Sequence, residues 1–166
     1  MSFYSELFTG TTLAFSQEQQ RILTSLLLEG YQWIIWRGYW DVNALNRQLF
    51  RNADIDKGFS LLFAAHSLMK SSEPEVADQI KKMILRNSSF SQVPNSFTGN
   101  KHFRESDYTV HRTPTWLASV RMASERVIGT ELVNEDNLKG YYMADGALYT
   151  YCLLYTSPSP RDLSTS

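Results

Sequence analysis

The chain has 166 residues, 43% of them hydrophobic and 20% charged, and its formal net charge is −1 at pH 7. This composition is typical of a globular protein, and without a basic excess it does not favour a nucleic acid or an anionic membrane as partner. The one cysteine, Cys152, excludes an internal disulfide and a cysteine-based metal site.

The first ten residues, "MSFYSELFTG", lack the basic start and apolar core of a secretory signal. No apolar run reaches the roughly 18 residues of a membrane span. Taken alone these features describe a cytosolic chain, although Met1 is equally compatible with an internal methionine of a longer protein.

Two helices are predicted in the first 70 residues. The stretch "SQEQQRILTSLLLEG" opens with a capping-box pattern, Ser16 and Gln19, and continues with apolar residues at helical spacing up to Gly30. Residues 58–70, "GFSLLFAAHSLMK", are apolar on most sides, which predicts a helix packed between others. We expect His66 to belong to that packing.

A third helix is predicted in "SSEPEVADQIKKMILRN". Ser72 and Glu75 fit another capping box, and Pro74 suits the first turn of a helix. Asn87, followed by two serines, fits a glycosylation acceptor.

Strand-like segments follow residue 91, after a stretch rich in Asn, Ser, Gly and Pro. The candidates are "YTVHR", "TWLASVRMA", "ERVIGTEL" and "GYYMADGALYTY". The last contains Asp145 and Gly146 between apolar runs, which predicts a hairpin turn. Helices followed by strands, without alternation, predict an α part and an antiparallel β part that join near residues 90 to 105.

The last stretch, residues 152–166, has two Ser-Pro steps and no alternating pattern. We therefore expect that it cannot continue the sheet that "ALYTY" begins, and we treat it as a non-native tail.

Arg47 and Arg51 are the strongest chemical signal in the chain, because they share one face if their segment is helical. Guanidinium groups suit bidentate recognition of a carboxylate or a sulfate. Aromatic residues that could pack against sugar rings precede them: Tyr31, Trp33, Trp36, Tyr39 and Trp40. In the alternative interpretation the aromatics form core and the arginines form surface ion pairs.

Two long stretches resemble polysaccharide lyase family 8. "GTTLAFSQEQQRILTSLLLEGYQWIIWRGYWDVNALNRQLFR" resembles the late helices of that family's catalytic toroid. "NKHFRESDYTVHRTPTWLASVRMASERVIGTELVNEDNLKGYYMADGALYTY" is similar to the start of its central β-sandwich, including an E-x-x-N-x-x-N-x-x-G pattern. The resemblance covers nearly all of residues 10–151 in the family's own order.

The resemblance implies an α+β multidomain fragment. Residues 1–92 would be the last helices of an (α/α) toroid, and residues 93–151 the first antiparallel strands of a β-sandwich. The implied activity is cleavage of uronic-acid-containing, glycosaminoglycan-like polysaccharides by β-elimination, with no metal or other cofactor. The family's catalytic Asn, His and Tyr have no counterpart here and would lie upstream of Met1, so this chain alone is expected to be inactive.

By the same resemblance, Arg47 and Arg51 match an arginine pair in the catalytic cleft. Glu131 matches a glutamate of the sandwich that meets those arginines, and Asn134 matches a neighbouring polar position that binds substrate. The family usually has Gly before the first arginine; here the residue is Asn46, which tolerates a left-handed backbone better than most.

His111 and Arg112 are adjacent and suggest a catalytic pair. They lie on a predicted strand and match no catalytic position of the family, so a structural role is favoured.

Two other functions remain compatible with the residues. One is a carbohydrate-binding or structural module without chemistry, and the other is a helical domain whose arginines bind an acidic protein. For the full-length lyase the expected partner is an acidic polysaccharide, the expected state is a monomer, and the expected location is extracellular or periplasmic.

Overall fold

The computed structural model describes residues 1–45, 53–88, 96–127, 145–152 and 155–159. The helices are α1 (Ser2–Leu7), α2 (Gln17–Ser25), α3 (Val42–Leu45), α4 (Ala53–Lys70) and α5 (Pro74–Asn87). The strands are β1 (Ile35–Trp36), β2 (Tyr39–Trp40), β3 (Gly99–Phe103), β4 (Tyr108–Arg112), β5 (Trp116–Arg121), β6 (Ala147–Cys152) and β7 (Tyr155–Ser159).

Helices precede a five-stranded sheet, so the predicted α+β class is confirmed. The sheet has the order β3-β4-β5-β6-β7, and every neighbouring pair is antiparallel. Within the described part of the chain, no helix has both the length and the apolar character needed to cross a membrane.

Two compact units share the chain, and they do not follow chain order. The helical unit holds residues 1–39 and the described residues from 55 to 88. The sheet unit holds the strands from β3 onward together with the described residues 40–45 and 53–54. The contiguous division expected from the sequence therefore differs in one segment: residues on both sides of the arginine stretch group with the strands. The boundary near residue 93 stays a prediction.

The capping box predicted at the start of α2 is confirmed. The Gln19 backbone N–H donates to Ser16 Oγ at 3.3 Å, and the Ser16 backbone N–H donates to Gln19 Oε1 at 2.9 Å. These bonds satisfy donors that the first helical turn would otherwise leave open. Beyond Ser25 the helix continues as a π turn, Leu26–Gly30.

Helix α4 buries one face and exposes another. Leu61, Ala65 and Leu68 are buried in the helical unit. Phe59, Phe63 and His66 lie on the opposite stripe and are exposed, with Phe63 at 74%. The expectation that His66 belongs to the packing is therefore wrong. At 3.6 residues per turn, His66 lies on the same face of the helix as the exposed phenylalanines.

Helix α5 begins at Pro74, in the first-turn position predicted for that residue. The predicted capping box of Ser72 and Glu75 is wrong. The proline fixes Glu73 as the N-cap residue, one position after Ser72, and the Ser72 hydroxyl donates instead to the Leu68 carbonyl at 2.7 Å.

Asn87 is a buried structural residue, so its interpretation as a glycosylation site is wrong. Its side chain is 2% exposed, its amide donates to the Met83 carbonyl at 2.9 Å, and its Oδ1 accepts from the Arg37 backbone N–H at 3.1 Å. A glycan needs an exposed acceptor, whereas this amide is used to hold a turn.

That turn joins β1 to β2 and has positive φ at both central residues, 48° at Arg37 and 85° at Gly38. Such turns match the twist of paired strands. Helix α4 approaches it closely at Gly58, where a Cβ atom would lie 1.7 Å from the Gly38 carbonyl oxygen. Gly58 is therefore required by backbone contact.

The predicted strands "YTVHR" and "TWLASVRMA" are confirmed as β4 and β5, and "ALYTY" lies within β6. In "ERVIGTEL" the first two residues, Glu125 and Arg126, form a turn, and residues from 128 to 132 lie outside the described part. Gly146 has a φ of 82°, but residues 140–144 before it are not described, so the hairpin stays a prediction.

The expectation that the last stretch cannot continue the sheet is wrong. Tyr155–Ser159 pairs with β6 as the edge strand β7, with a register irregularity between Thr150 and Cys152. An edge strand tolerates Pro158, because only one side of its backbone must donate to the ladder. The non-native origin of residues 152–166 stays a prediction.

Candidate active site

The four residues predicted for the site lie outside the described part of the chain. They are Arg47, Arg51, Glu131 and Asn134. Asn46, before the first arginine, is also outside it. Their mutual distances, and the meeting of Glu131 with the arginines, stay predictions.

The residues that lead into the arginine stretch are described, and they are bound to the sheet by side-chain hydrogen bonds. Asp41 is 1% exposed. Its Oδ2 accepts from the Tyr108 hydroxyl at 2.6 Å, and its Oδ1 accepts from the Tyr151 hydroxyl at 2.9 Å. Tyr108 begins β4 and Tyr151 lies in β6, so one carboxyl group joins two strands on either side of β5.

Two further contacts extend this arrangement. The Tyr151 hydroxyl accepts from the Val42 backbone N–H at 2.8 Å. The Asn43 side-chain amide donates to Ser119 Oγ at 3.0 Å and to the Ala147 carbonyl at 3.0 Å. We call Asp41, Asn43, Tyr108, Ser119 and Tyr151 the polar anchor.

Strand register explains why the sheet members of the polar anchor converge. Tyr108 pairs with Arg121, and Tyr151 pairs with Leu117. Arg121, Ser119 and Leu117 alternate along β5 and so share one face of the sheet. Tyr108, Ser119 and Tyr151 therefore project from the same, buried face.

Local backbone bonds form α3 directly after Asp41. The Asp41 carbonyl accepts from the backbone N–H groups of Ala44 and Leu45, both at 3.0 Å. The side chain of Asp41 thus binds the sheet while its main chain starts the short helix that ends at Leu45. Arg47 follows two residues later.

Burial raises the pKa of Asp41 above its ordinary value of 3.8, against the opposing effect of hydrogen bonds from Tyr108, Ser119 and Tyr151. Burial, followed by the nearby Asp41 charge, raises the pKa of both Tyr108 and Tyr151. Each shift favours the neutral form relative to the same side chain in water. Because Asp41 is buried and both of its oxygens are engaged, it has no access to a polysaccharide and can act only by holding the chain in place.

The aromatic residues proposed as sugar platforms are not freely exposed. Trp36 is core, at 3% exposure, and the remainder of the set is half-buried: Tyr31, Trp33, Tyr39 and Trp40. This burial favours the alternative interpretation, that these aromatics stabilise the fold.

His111 and Arg112 do not form a catalytic pair. As neighbours on β4 they point to opposite faces of the sheet. His111 is exposed and packs on Trp116, with ring centroids 5.2 Å apart, whereas Arg112 is 2% exposed and lies 5.2 Å from the Phe97 ring centroid.

Sequence reasoning assigns no role to Asp41 beyond its place among aromatic residues. The available signal was an acid followed by Val and Asn inside a largely apolar segment, together with tyrosines at alternate strand positions. Its partners lie 67 and 110 residues away, so their identity needed the structure. Among the described residues no three His, Cys, Asp or Glu side chains group as a metal site.

Comparison with known proteins covers both units. The family model for polysaccharide lyase family 8, super-sandwich domain, matches residues 98–153. Chondroitinase-AC of Pedobacter heparinus is 30% identical over 140 residues, which is 82% of this chain and 19% of that protein. The chain belongs to polysaccharide lyase family 8.

The chain is also similar in sequence to a hyaluronate lyase and in fold to a xanthan lyase. Hyaluronate lyase HylB of Enterococcus faecalis is 30% identical over 73 residues, which is 44% of this chain and 7% of that protein. The solved structure of Paenibacillus xanthan lyase matches with a TM-score of 0.76 at 16% identity, over 91% of this chain and 17% of that one. The chain thus spans about a fifth or less of the length of these relatives.

Proposed function

We propose that this chain is the part of a family 8 lyase where the last helices of an (α/α) toroid precede the first strands of the central β-sandwich. The full-length enzyme cleaves uronic-acid-containing polysaccharides by β-elimination. The names of the relatives support this class of substrate, because hyaluronate and chondroitin lyases are both among them.

One observation carries most of the proposal. The match to chondroitinase-AC covers 82% of this chain. Because few residues of the chain lie outside an aligned stretch of that length, the stretch must include Arg47, Arg51 and Glu131. These positions therefore fall within the stretch of the chain that is similar to a lyase, which supports the proposal.

The family resemblance implies distinct roles for these residues in a β-elimination. A base removes the proton at C5 of the uronic acid, negative charge develops on the carboxylate, and the C4 oxygen leaves after protonation. Arg47 and Arg51 bind the acidic sugar and favour an ionised tyrosine nearby. Glu131 holds a guanidinium in place and Asn134 binds substrate. The chemistry involves no cofactor. The His and Tyr that transfer protons, and the Asn that helps to neutralise the carboxylate, come from outside this chain.

The genomic sequence upstream of this reading frame provides the first test. We expect it to encode an Asn and a His/Tyr pair nine residues apart, as the family resemblance requires. A full-length protein without these residues would contradict the lyase proposal.

The second test is an assay of the full-length protein on hyaluronan, chondroitin and xanthan, because β-elimination creates an unsaturated uronate that absorbs in the near ultraviolet. We expect turnover on at least one substrate, and a loss of about a hundredfold in kcat/KM for Arg47→Ala or Arg51→Ala. Saccharide binding without turnover would instead support a non-catalytic module. The 166-residue chain alone is expected to be inactive, and turnover by it would contradict the assigned roles.

We also propose that the full-length lyase is an extracellular or periplasmic monomer. Its polymeric substrate is too large to enter a cell intact, which supports this location. Cell fractionation and the mass of the purified enzyme in solution test both statements.

A further inference from the structure

We infer that Asp41 is a positioning residue for the lyase reaction: through the polar anchor it fixes the sheet-bound end from which the chain runs into Arg47 and Arg51. This inference rests on the proposed function, since positioning matters only if the arginines bind the sugar acid. It assigns a role to a buried acid that the β-elimination chemistry does not use directly.

The first argument is geometric. Asp41 contacts tyrosines from β4 and β6, and Asn43 contacts Ser119 of β5. Three adjacent strands therefore hold two residues that are separated by a single position. Such an arrangement restricts rotation as well as translation of α3, which a single contact would not do.

The second argument is chain length. Helix α3 ends at Leu45, and only Asn46 separates that residue from Arg47. One intervening residue absorbs little displacement, because consecutive Cα atoms are about 3.8 Å apart. A shift of α3 on the sheet would therefore displace the point from which the chain continues to Arg47.

The third argument is the choice of residue types. An apolar side chain at position 41 could fill the same space, but it would leave two tyrosine hydroxyls buried without their acceptor. Directional hydrogen bonds select one placement of the segment, whereas apolar packing tolerates several. Catalysis is sensitive to the placement of such a segment, since a misplacement of about 1 Å can lower a rate about a hundredfold.

The first experiment measures the anchor itself, independently of activity. Hydrogen exchange of peptides covering residues 40–54 is compared in the full-length protein and its Tyr151→Phe and Asp41→Asn variants. Tyr149→Phe is the matched control, because Tyr149 lies on the same strand and face but outside the polar anchor. We expect exchange in 40–54 to accelerate about tenfold in the two anchor variants and to stay unchanged in the control.

The second experiment measures coupling to the arginines. Tyr151→Phe is combined with Arg47→Lys and, separately, with Arg51→Lys, and kcat and KM are measured for each single and double variant. If the anchor acts through the arginines, the double variant should lose less kcat than the product of the two single losses, by at least about threefold. The arginine that is replaced in the double variant would already be misplaced by Tyr151→Phe. A purely structural role predicts additive losses, and additivity would overturn the inference.

The two experiments separate the failure of this inference from the failure of the proposed function. Full kcat in a Tyr151→Phe enzyme with accelerated exchange would overturn positioning while leaving the lyase function intact. Unchanged exchange in both anchor variants would also overturn it. An inactive wild-type enzyme would refute the proposed function, and the positioning role for its reaction with it.

Discussion

The hydroxyl of Tyr151 donates a hydrogen bond to the carboxyl group of Asp41, a residue 110 positions earlier in the chain. The same hydroxyl accepts from the Val42 backbone N–H. A side chain of the sheet thus satisfies both a carboxyl oxygen and a main-chain donor, and this explains why residues 40–45 group with strands rather than with the helices next to them in sequence.

Removal of that hydroxyl should destabilise the sheet unit. Tyr151→Phe removes the acceptor of the Val42 N–H and one of the donors to the Asp41 carboxyl group, so we expect a loss of about 2 kcal/mol in the free energy of unfolding. Urea denaturation measures it. The control, Tyr149→Phe, should change stability by less than about 0.5 kcal/mol. Equal effects of the two changes would contradict the role assigned to Tyr151.

Asp41 should make stability depend on pH in a defined direction. Because burial raises its pKa above 3.8, the folded protein holds the proton more tightly than the unfolded chain does. This contribution is fully present below the unfolded-state value and is lost as pH rises through the folded-state pKa.

The test compares Asp41→Asn with the wild type, since the amide cannot titrate. The wild type should lose stability relative to the variant as the pH rises above the unfolded-state pKa of about 4, measured by chemical denaturation. Asp56→Asn, at an exposed acid of α4, serves as the control for the loss of one acidic side chain. The opposite slope would mean that hydrogen bonds outweigh burial at Asp41.

Tyr108 and Tyr151 should resist ionisation in alkaline solution. Their pKa values are raised above 10.0 by burial and by Asp41, so their stabilising effect is present below that pH and is lost as the pH rises further. Phenolate absorbance should show fewer than the nine tyrosines of the chain titrating while it stays folded. The remaining tyrosines should ionise only with unfolding, seen by circular dichroism, and titration of all nine in folded protein would contradict this.

The glycine at position 58 should be intolerant of a methyl group. Alanine usually favours a helix over glycine, but here its Cβ would lie 1.7 Å from the Gly38 carbonyl oxygen. We expect Gly58→Ala to cost about 2 kcal/mol of stability, because the clash exceeds the gain in helix propensity. Gly30→Ala is the control, since its nearest contact is 3.8 Å away. Thermal unfolding of both variants measures the change in stability. A stabilised Gly58→Ala protein would refute the close approach of Gly58 to the Gly38 carbonyl group.

The exposed stripe of α4 should make the 166-residue chain associate. Phe59 and Phe63 are 51% and 74% exposed, and neighbouring apolar side chains of this kind drive association. Phe59→Ser with Phe63→Ser should raise solubility and lower light scattering, whereas Phe15→Ser, at a half-buried position away from the stripe, should not. A wild-type chain that is a soluble monomer with one cooperative thermal transition would count against this expectation.

Secondary-structure elements that depend on residues close together in the chain were predicted from sequence patterns. The capping box at Ser16 and Gln19 is present because nothing nearby competes with it, whereas the pattern at Ser72 and Glu75 failed because Pro74 fixed a different first residue. Strand β4 was predicted from its β-branched and aromatic residues.

Features that depend on distant partners were not predicted. Strand β3, "GNKHF", contains little strand propensity and exists through its pairing with β4. The same reason applies to the polar anchor, whose members come from four separate segments. Family resemblance, rather than periodicity, suggested Arg47, Arg51, Glu131 and Asn134, and their geometry stays a prediction.

The link between Asp41 and Tyr151 has a consequence for biosynthesis. The acid leaves the ribosome more than a hundred residues before its second tyrosine is made, so its carboxyl group stays hydrated while the helices around it in sequence are already complete. Asp41, Val42 and Asn43 therefore gain their full set of hydrogen bonds only after β6 has been translated. A nascent chain that ends before that strand would contain the Asp41 carboxyl group and still lack one of its two tyrosine donors.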